Sequence, residues 1–392
     1  MPTNSYCNTN HILIGLGGTG GKVLRAFKMR MFEEFPDEKE RDKQSVQILY
    51  VDSSREMMPE KGKPRPDFRV LGQNASFTED EFLFIKGNDV SYILDHIDSF
   101  PPVKGIVNNA QAVKSAIGNL GEAAGQMRRA GRLLFASNAG AFVNALTNAF
   151  ARCVKISGNE LELNIHIFAG LCGGTGSGSI IDAIVQCRKK YPDANIAVYA
   201  MIPEMNLTDA KMNKGRYYEN GYAAINELNA LQAGRYVPHD ITGSGERLNV
   251  WTAKVHGVAD GISIYSNVND NGLRLDSLKE LPKVVSDYIY ARVFLINSQN
   301  EKCEDIIRGY KFENMNGFEV EYDELASVKD DNEELPIART KKVNSFGIKR
   351  VMYPELRVLK HITYTVGESI LLQFKYNNWR EDQPRLQGDI FQ

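Results

Sequence analysis

Residues 165–181 read IHIFAGLCGGTGSGSII. An apolar run meets five glycines spread from Gly170 to Gly178, and an apolar pattern resumes at Ile180. Glycine costs backbone entropy in any ordered element, so this cluster marks a place where bare backbone is needed. A strand that turns through glycines into a helix supplies such a need. The first amides of a helix have no intrahelical partner, the macrodipole adds partial positive charge, and together they attract an anion, usually phosphate. Thr175, Ser177 and Ser179 add hydroxyls at the same turn.

A second loop of this kind, GLGGTGGK (15–22), lies directly between HILIG and VLRAFKMRMF. Gly15, Gly17 and Gly20 satisfy GxGxxG in a strand–loop–helix context, the dinucleotide fingerprint. The acidic residue ending the next strand is Asp52, well beyond the interval of roughly 20 residues that this fingerprint expects. A Walker-type P-loop ending at Lys22 would need glycine at Leu16 and a hydroxyl at Val23, so it fails. A tight turn packed under a helix is the third reading, and the first loop by itself leaves that open.

Around these loops the chain alternates strands and helices. Strands are expected at 11–15, 47–52, 68–72, 163–170, 195–204, 261–267 and 346–354. Helices are expected from the first loop to about Glu34, over 179–190, 214–232 and 276–296, and as one or two helices in the Ala-rich stretch 122–154. Residues 76–115 read as mixed, with small helices. This order predicts an α/β fold, a mostly parallel sheet with helices on both faces. The expected domains are a nucleotide-binding domain over 1–275, a central helix over 276–300, and a partial second α+β domain with a polar tail over 301–392.

Composition excludes several classes. The chain has 392 residues, 43% hydrophobic and 24% charged, with a formal net charge of −2. That balance gives no electrostatic footprint for nucleic acid or an anionic membrane surface. No run approaches the roughly 20 apolar residues of a membrane span, and the start lacks a signal-peptide pattern. Five widely spaced cysteines without a CxxC pair suit a reducing cytoplasm, the expected location, and argue against a disulfide framework or a zinc site.

With both glycine loops in place, the chain resembles the tubulin superfamily, whose signature loop reads GGGTGSG or GGGTGTG. Within it the chain looks closest to the bacterial tubulin-like proteins, through GQMRRAGR and SFGIKRVMYPE. The resemblance covers most of residues 11–300. GLGGTGG stands where the first phosphate loop belongs, YVDSS (50–54) where the second does, and LGEAAGQMRRAGR (120–132) where the third, γ-phosphate-sensing loop does. MIPE (201–204) matches the ribose-side loop, ENGYAAINEL (219–228) the helix whose Asn reads the base, and IYSN (264–267) the segment with the second base-reading Asn.

The resemblance implies GTP or GDP with Mg²⁺ as the ligands. Gly15, Gly17, Gly18, Thr19 and Gly20 would hold the inner phosphates, and Gly173, Gly174, Thr175, Gly176 and Ser177 the outer ones. Gly121, Gly125 and Gln126 would come from the third loop, Glu204 would meet the ribose, and Asn220 and Asn267 would read guanine. Asp52 would hold Mg²⁺ through water; a strand-end cap is its other reading. Arg128 and Arg129 either clamp a γ-phosphate or form a solvated helix face. The family's base-stacking aromatic falls on Ser263, with Tyr265 as a substitute.

In polymerising members the next subunit completes hydrolysis with an acidic NxDxxD/E loop. Residues 313–328, ENMNGFEVEYDELASV, are the counterpart, with Glu319, Glu321 and Asp323 as candidate catalytic acids but no NxD. The resemblance thus implies head-to-tail self-association into filaments with interface-completed GTP hydrolysis. A scaffold that binds GTP without turnover is the alternative. A Rossmann oxidoreductase is a weaker one, because no His, Tyr-Lys or Cys constellation accompanies the loops.

Overall fold

The structure is a computed structural model that describes residues 7, 9–60, 63, 65–85, 90–117, 126–204, 216–232, 236–243, 245–248, 258–269, 271–295, 343–346 and 355–376. Strand β1 (Asn10–Leu16) is buried along its whole length and sits inside the sheet, where a near-continuous apolar run belongs. It leads without a linker into α1 (Gly17–Glu34). A short α2 (Glu38–Arg41) then precedes β2 (Val46–Asp52). A two-stranded hairpin follows, β3 (Arg69–Val70) and β4 (Gln73–Asn74), where the sequence suggested one short strand. Its two turn residues, Leu71 and Gly72, both have positive φ, the backbone of a type I′ hairpin turn.

Strand β5 (Phe82–Phe84) and the small helices α3 (Val90–Asp95), α4 (Pro101–Ile106) and α5 (Ala110–Ile117) come next. The Ala-rich segment resolves into two helices, α6 (Arg128–Ser137) and α7 (Ala139–Ser157). They part at Asn138, whose amide donates to the Leu134 carbonyl at 2.8 Å and so caps α6. The rest of this unit is β6 (Leu163–Gly170), α8 (Thr175–Lys190), β7 (Asn195–Met201), α9 (Tyr217–Gln232), β8 (Gly261–Tyr265), α10 (Glu280–Tyr290) and the two-residue β9 (Val343–Asn344). The central helix expected from 276 begins at Glu280, which puts Pro282 in its first turn, where a missing N–H costs nothing.

Seven strands form one sheet in the order β5-β2-β1-β6-β7-β8-β9, and every pairing is parallel. Side-chain alternation divides the interior into two cores. Ile12, Ile14, Leu16, Ile165 and Ile167 face α6, α7, α8 and α9. Leu13, Tyr50, Phe168 and Tyr199 face α1 and α10. The chain lays β2 and β5 on one side of β1, then returns to β1's other side with β6 and moves outward. Strand order therefore reverses between β1 and β6, and ligands of open α/β sheets bind at the carboxyl edge of such a switch point.

The chain forms two compact units, Met1–Gly347 and Ile348–Gln392. In the second unit the described element is α11 (Glu355–Tyr376), a helix that the sequence reading had not singled out. Its described side chains are largely exposed, among them Leu359, Ile362, Ile370 and Phe374. The strand expected at 346–354 lies almost entirely outside the described residues. Among the described residues, no helix is long and apolar enough to cross a membrane.

Candidate functional site

Both glycine loops lie at the switch point, and they touch each other. Gly17, with φ at +68°, opens α1 in the left-handed region that favours glycine. A Cβ there would lie 2.8 Å from the backbone nitrogen of Gly176. Other glycines of the signature serve packing. A Cβ on Gly20 would meet the Phe168 carbonyl oxygen of β6, and one on Gly176 would meet the Leu16 carbonyl oxygen at 2.7 Å. These positions let α1 and α8 lie hard against the strands. Gly18 and Gly173 differ, since nothing lies within 4 Å of an added Cβ at either. Those two present bare backbone to open space, the property that an approaching phosphate needs.

Between the loops and the carboxyl ends of β6 and β7 is a small, open cavity of about 160 Å³. Its walls include Thr19, Gln126, Gly173 and Glu204, as the sequence reading expected, together with Lys22 and Tyr217. Gly170 closes its floor against the Thr19 side chain.

The hydroxyls of the second loop turn into the protein. The Thr175 hydroxyl shares a hydrogen bond with Ser53 at 2.9 Å, and Ser177, fully buried, accepts from the Arg128 guanidinium at 2.7 Å. Ser179 donates to the Thr175 carbonyl at 2.7 Å. Arg128 also pairs with Glu227, and Arg129 is exposed, so neither lines this cavity; both border a separate groove between α5, α6 and α9.

Neither predicted asparagine lines this cavity; Asn220 borders the separate groove, and both bond to segments that form the cavity wall. Asn220 Nδ2 donates to the carbonyls of Gln126 at 2.7 Å and Cys172 at 3.0 Å, tying the third loop to the second. Asn267 Nδ2 donates to Glu204 Oε2 at 3.2 Å. Its own Oδ1 is buried and finds no hydrogen-bond partner among the described residues. An orphaned buried acceptor is costly unless a ligand donor satisfies it.

Asp52 ends β2 beside the second loop and is 6% exposed. Burial raises its carboxyl above the ordinary value, opposed by hydrogen bonds from Tyr50, Ser53, Ser54 and Thr175. Tyr50 donates to Oδ2 at 2.6 Å and the Ser54 amide to Oδ1 at 3.3 Å. Asp52, Ser53 and Thr175 bring three hard oxygens together beside the second loop, but all three are buried and outside the cavity wall, so a Mg²⁺ ion in the cavity would meet them through water.

Tyr265 is not a pocket residue; it packs in the core against Phe346, with ring centroids 5.5 Å apart. The aromatic on the cavity wall is Tyr217, whose hydroxyl accepts the Glu204 amide at 3.3 Å. Lys22 is another wall residue not assigned from sequence, although it sits in the GGK that closes the first loop. The candidates Gly121, Gly125, Glu319, Glu321 and Asp323 lie outside the described residues. The described cysteines are free, and no cluster of three or more His, Cys, Asp or Glu exists among the described residues.

A family model described as "Tubulin like" matches residues 12–372. No curated protein matches the chain. Among solved structures, CetZ from Methanosaeta thermophila strain DSM 6194 is 14% identical, with a TM-score of 0.44, over 78% of this chain and 60% of that one. CetZ2 from Haloferax volcanii, a GTPγS-bound protofilament, is 14% identical with a TM-score of 0.41, over 76% and 62%. CetZ1 from Haloferax volcanii, a GDP-bound monomer, is 14% identical with a TM-score of 0.37, over 74% and 60%. The match thus spans about three-fifths of the length of these structures. With its two glycine loops at the switch point of a parallel sheet and a family match along most of its length, the chain belongs to the Tubulin-like family.

Proposed function

We propose that the cavity binds a guanine nucleotide with Mg²⁺, and that the protein self-associates head to tail into filaments that turn over GTP. The observation that carries the reading is the pair of glycine loops in mutual contact at the sheet's switch point, with Gly18 and Gly173 open toward solvent. Two helix N-termini and their amides converge there, which suits a polyphosphate. Asp52, with Ser53 and Thr175, would hold through water the Mg²⁺, whose chemistry is to neutralise charge on the phosphates.

The base assignment rests on hydrogen-bond polarity. Both amide protons of Asn220 are committed to backbone carbonyls, and Asn267 directs its amide at Glu204 while its buried Oδ1 has no partner among the described residues, so the two side-chain oxygens are the groups proposed to meet the base. Two acceptors match the N1–H and N2–H₂ donors of guanine and oppose the N1 acceptor of adenine. Tyr217 offers the aromatic face for stacking. Glu319, Glu321 and Asp323 are the acids proposed to complete the site of the next subunit.

Titration with GTP, GDP and ATP, with and without Mg²⁺, tests the ligand. GTP should bind more tightly than ATP and lose affinity without Mg²⁺, whereas equal affinity removes the base assignment. Pelleting and phosphate release against protein concentration test assembly. Turnover per subunit should rise with concentration, and a constant rate would remove interface catalysis in favour of a GTP-binding scaffold.

A further inference from the structure

Lys22 stands one turn into α1, three residues after Thr19, so the two share a helix face, and both line the cavity. Side chains on a helix lean toward its N-terminus, so the ammonium is directed back toward the glycine loop rather than away from it. Burial lowers the pKa of Lys22, an effect opposed by the charges of Glu56, Glu204 and Asp276. Yet Lys22 makes no ion pair or hydrogen bond to any described residue. A half-buried cation, acted on by the charges of Glu56, Arg25, Glu204 and Asp276, shares the cavity wall with Thr19 of the phosphate loop and with Glu204.

We propose that Lys22 is the residue that takes the nucleoside-proximal phosphate, joining the phosphate loops to the nucleoside end of the cavity. The proposal rests on the nucleotide reading of the site and adds a role for one residue. The compact, strongly hydrated ammonium is a point-charge ligand for phosphate oxygen. The first phosphate would replace the solvation that burial has removed. Further phosphates would rest on the loop amides, beyond the reach of Lys22.

The test is competition of guanosine, GMP, GDP and GTP against a fluorescent guanine nucleotide, with Mg²⁺ present, on the full chain and its Lys22→Met and Lys22→Arg variants. In the wild type, GMP should bind more tightly than guanosine. Lys22→Met should weaken GMP, GDP and GTP alike by about tenfold or more, the value of one charge-assisted hydrogen bond, and leave guanosine unchanged. The steps from GMP to GDP to GTP should stay as in the wild type, and Lys22→Arg should restore part of the loss. An unchanged melting temperature would show that the loss is not one of folding. Equal weakening of guanosine and GMP, or no weakening at all, would overturn the role of Lys22 while leaving the nucleotide site standing. A wild-type protein that binds none of the four would overturn the nucleotide reading and this inference together.

Discussion

Gly131→Ala sets two physical effects against each other. Gly131 lies in α6, where alanine should gain about 0.5–1 kcal/mol from helix propensity alone. The added Cβ, however, would stand 2.2 Å from the Gly174 carbonyl oxygen, 2.7 Å from its carbon and 3.0 Å from the Thr175 Cα. That leaves the methyl about 1 Å short of ordinary van der Waals distance, against main chain rather than a movable side chain. Nor is the Gly174 oxygen free to retreat, because it accepts the Gly178 amide at 3.0 Å and so anchors the first turn of α8. Overpacking of this kind costs about 1–3 kcal/mol, and a rigid obstacle puts it toward the upper end. Packing wins. The variant should be about 1–2 kcal/mol less stable in urea denaturation and should melt a few degrees lower. On the nucleotide reading proposed for the site, it should also bind GTP more weakly, since the displaced segment is the second glycine loop. Gly140→Ala is the control: it lies in α7 with nothing within 4 Å of its added Cβ, so the propensity gain should appear unopposed. A Gly131→Ala protein as stable as the wild type, or more so, would refute the close packing of α6 on this loop.

Three further outcomes follow from buried charge. Arg132 forks onto Asp182 at 2.7 and 3.0 Å, with the Asp182 side chain fully buried, so Arg132→Met should cost about 3–5 kcal/mol in urea denaturation by stranding that carboxylate. His11 and His166 share a hydrogen bond of 3.0 Å in the core; burial, with Arg292 nearby, lowers His11 to about 3 and His166 well below its ordinary value. Their unfolded forms take up protons near pH 6.5 and the folded ones do not. Stability is therefore fully present above that pH and falls as pH drops toward 3, a loss that His166→Gln should reduce in denaturation measured at stepped pH. For Asp52 the sign is reversed. Burial raises its folded pKa, so the buried charge costs stability at neutral pH, and Asp52→Asn should leave the ligand-free protein as stable or slightly more so. The same variant should lose the Mg²⁺ dependence of GTP affinity, and a destabilised Asp52→Asn that keeps that dependence would make Asp52 a strand-end cap.

The sequence by itself determined which segments alternate and where they turn. Apolar runs located β1, β2 and β6 to within a residue and the starts of β7 and β8, whose ends were set too late, because a strand buried on both faces is apolar along most of its length. The glycine loops were legible for the same local reason: spacing and neighbours are written in the chain. Local pattern could not say what each glycine does. Only the tertiary structure separates Gly20, held against the Phe168 carbonyl, from Gly18, which faces open space, since the neighbour that decides the matter lies about 150 residues away. Tyr265 was the aromatic that the sequence offered beside an expected Asn, while Tyr217, close to the other, was not singled out. Strand register turned Tyr265 into the core, and the start of α9 put Tyr217 on the cavity wall. Lys22 passed unassigned because a lysine after two glycines has no motif of its own. Its meaning comes from Glu204 and Asp276, residues that only the folded sheet edge brings around one ammonium.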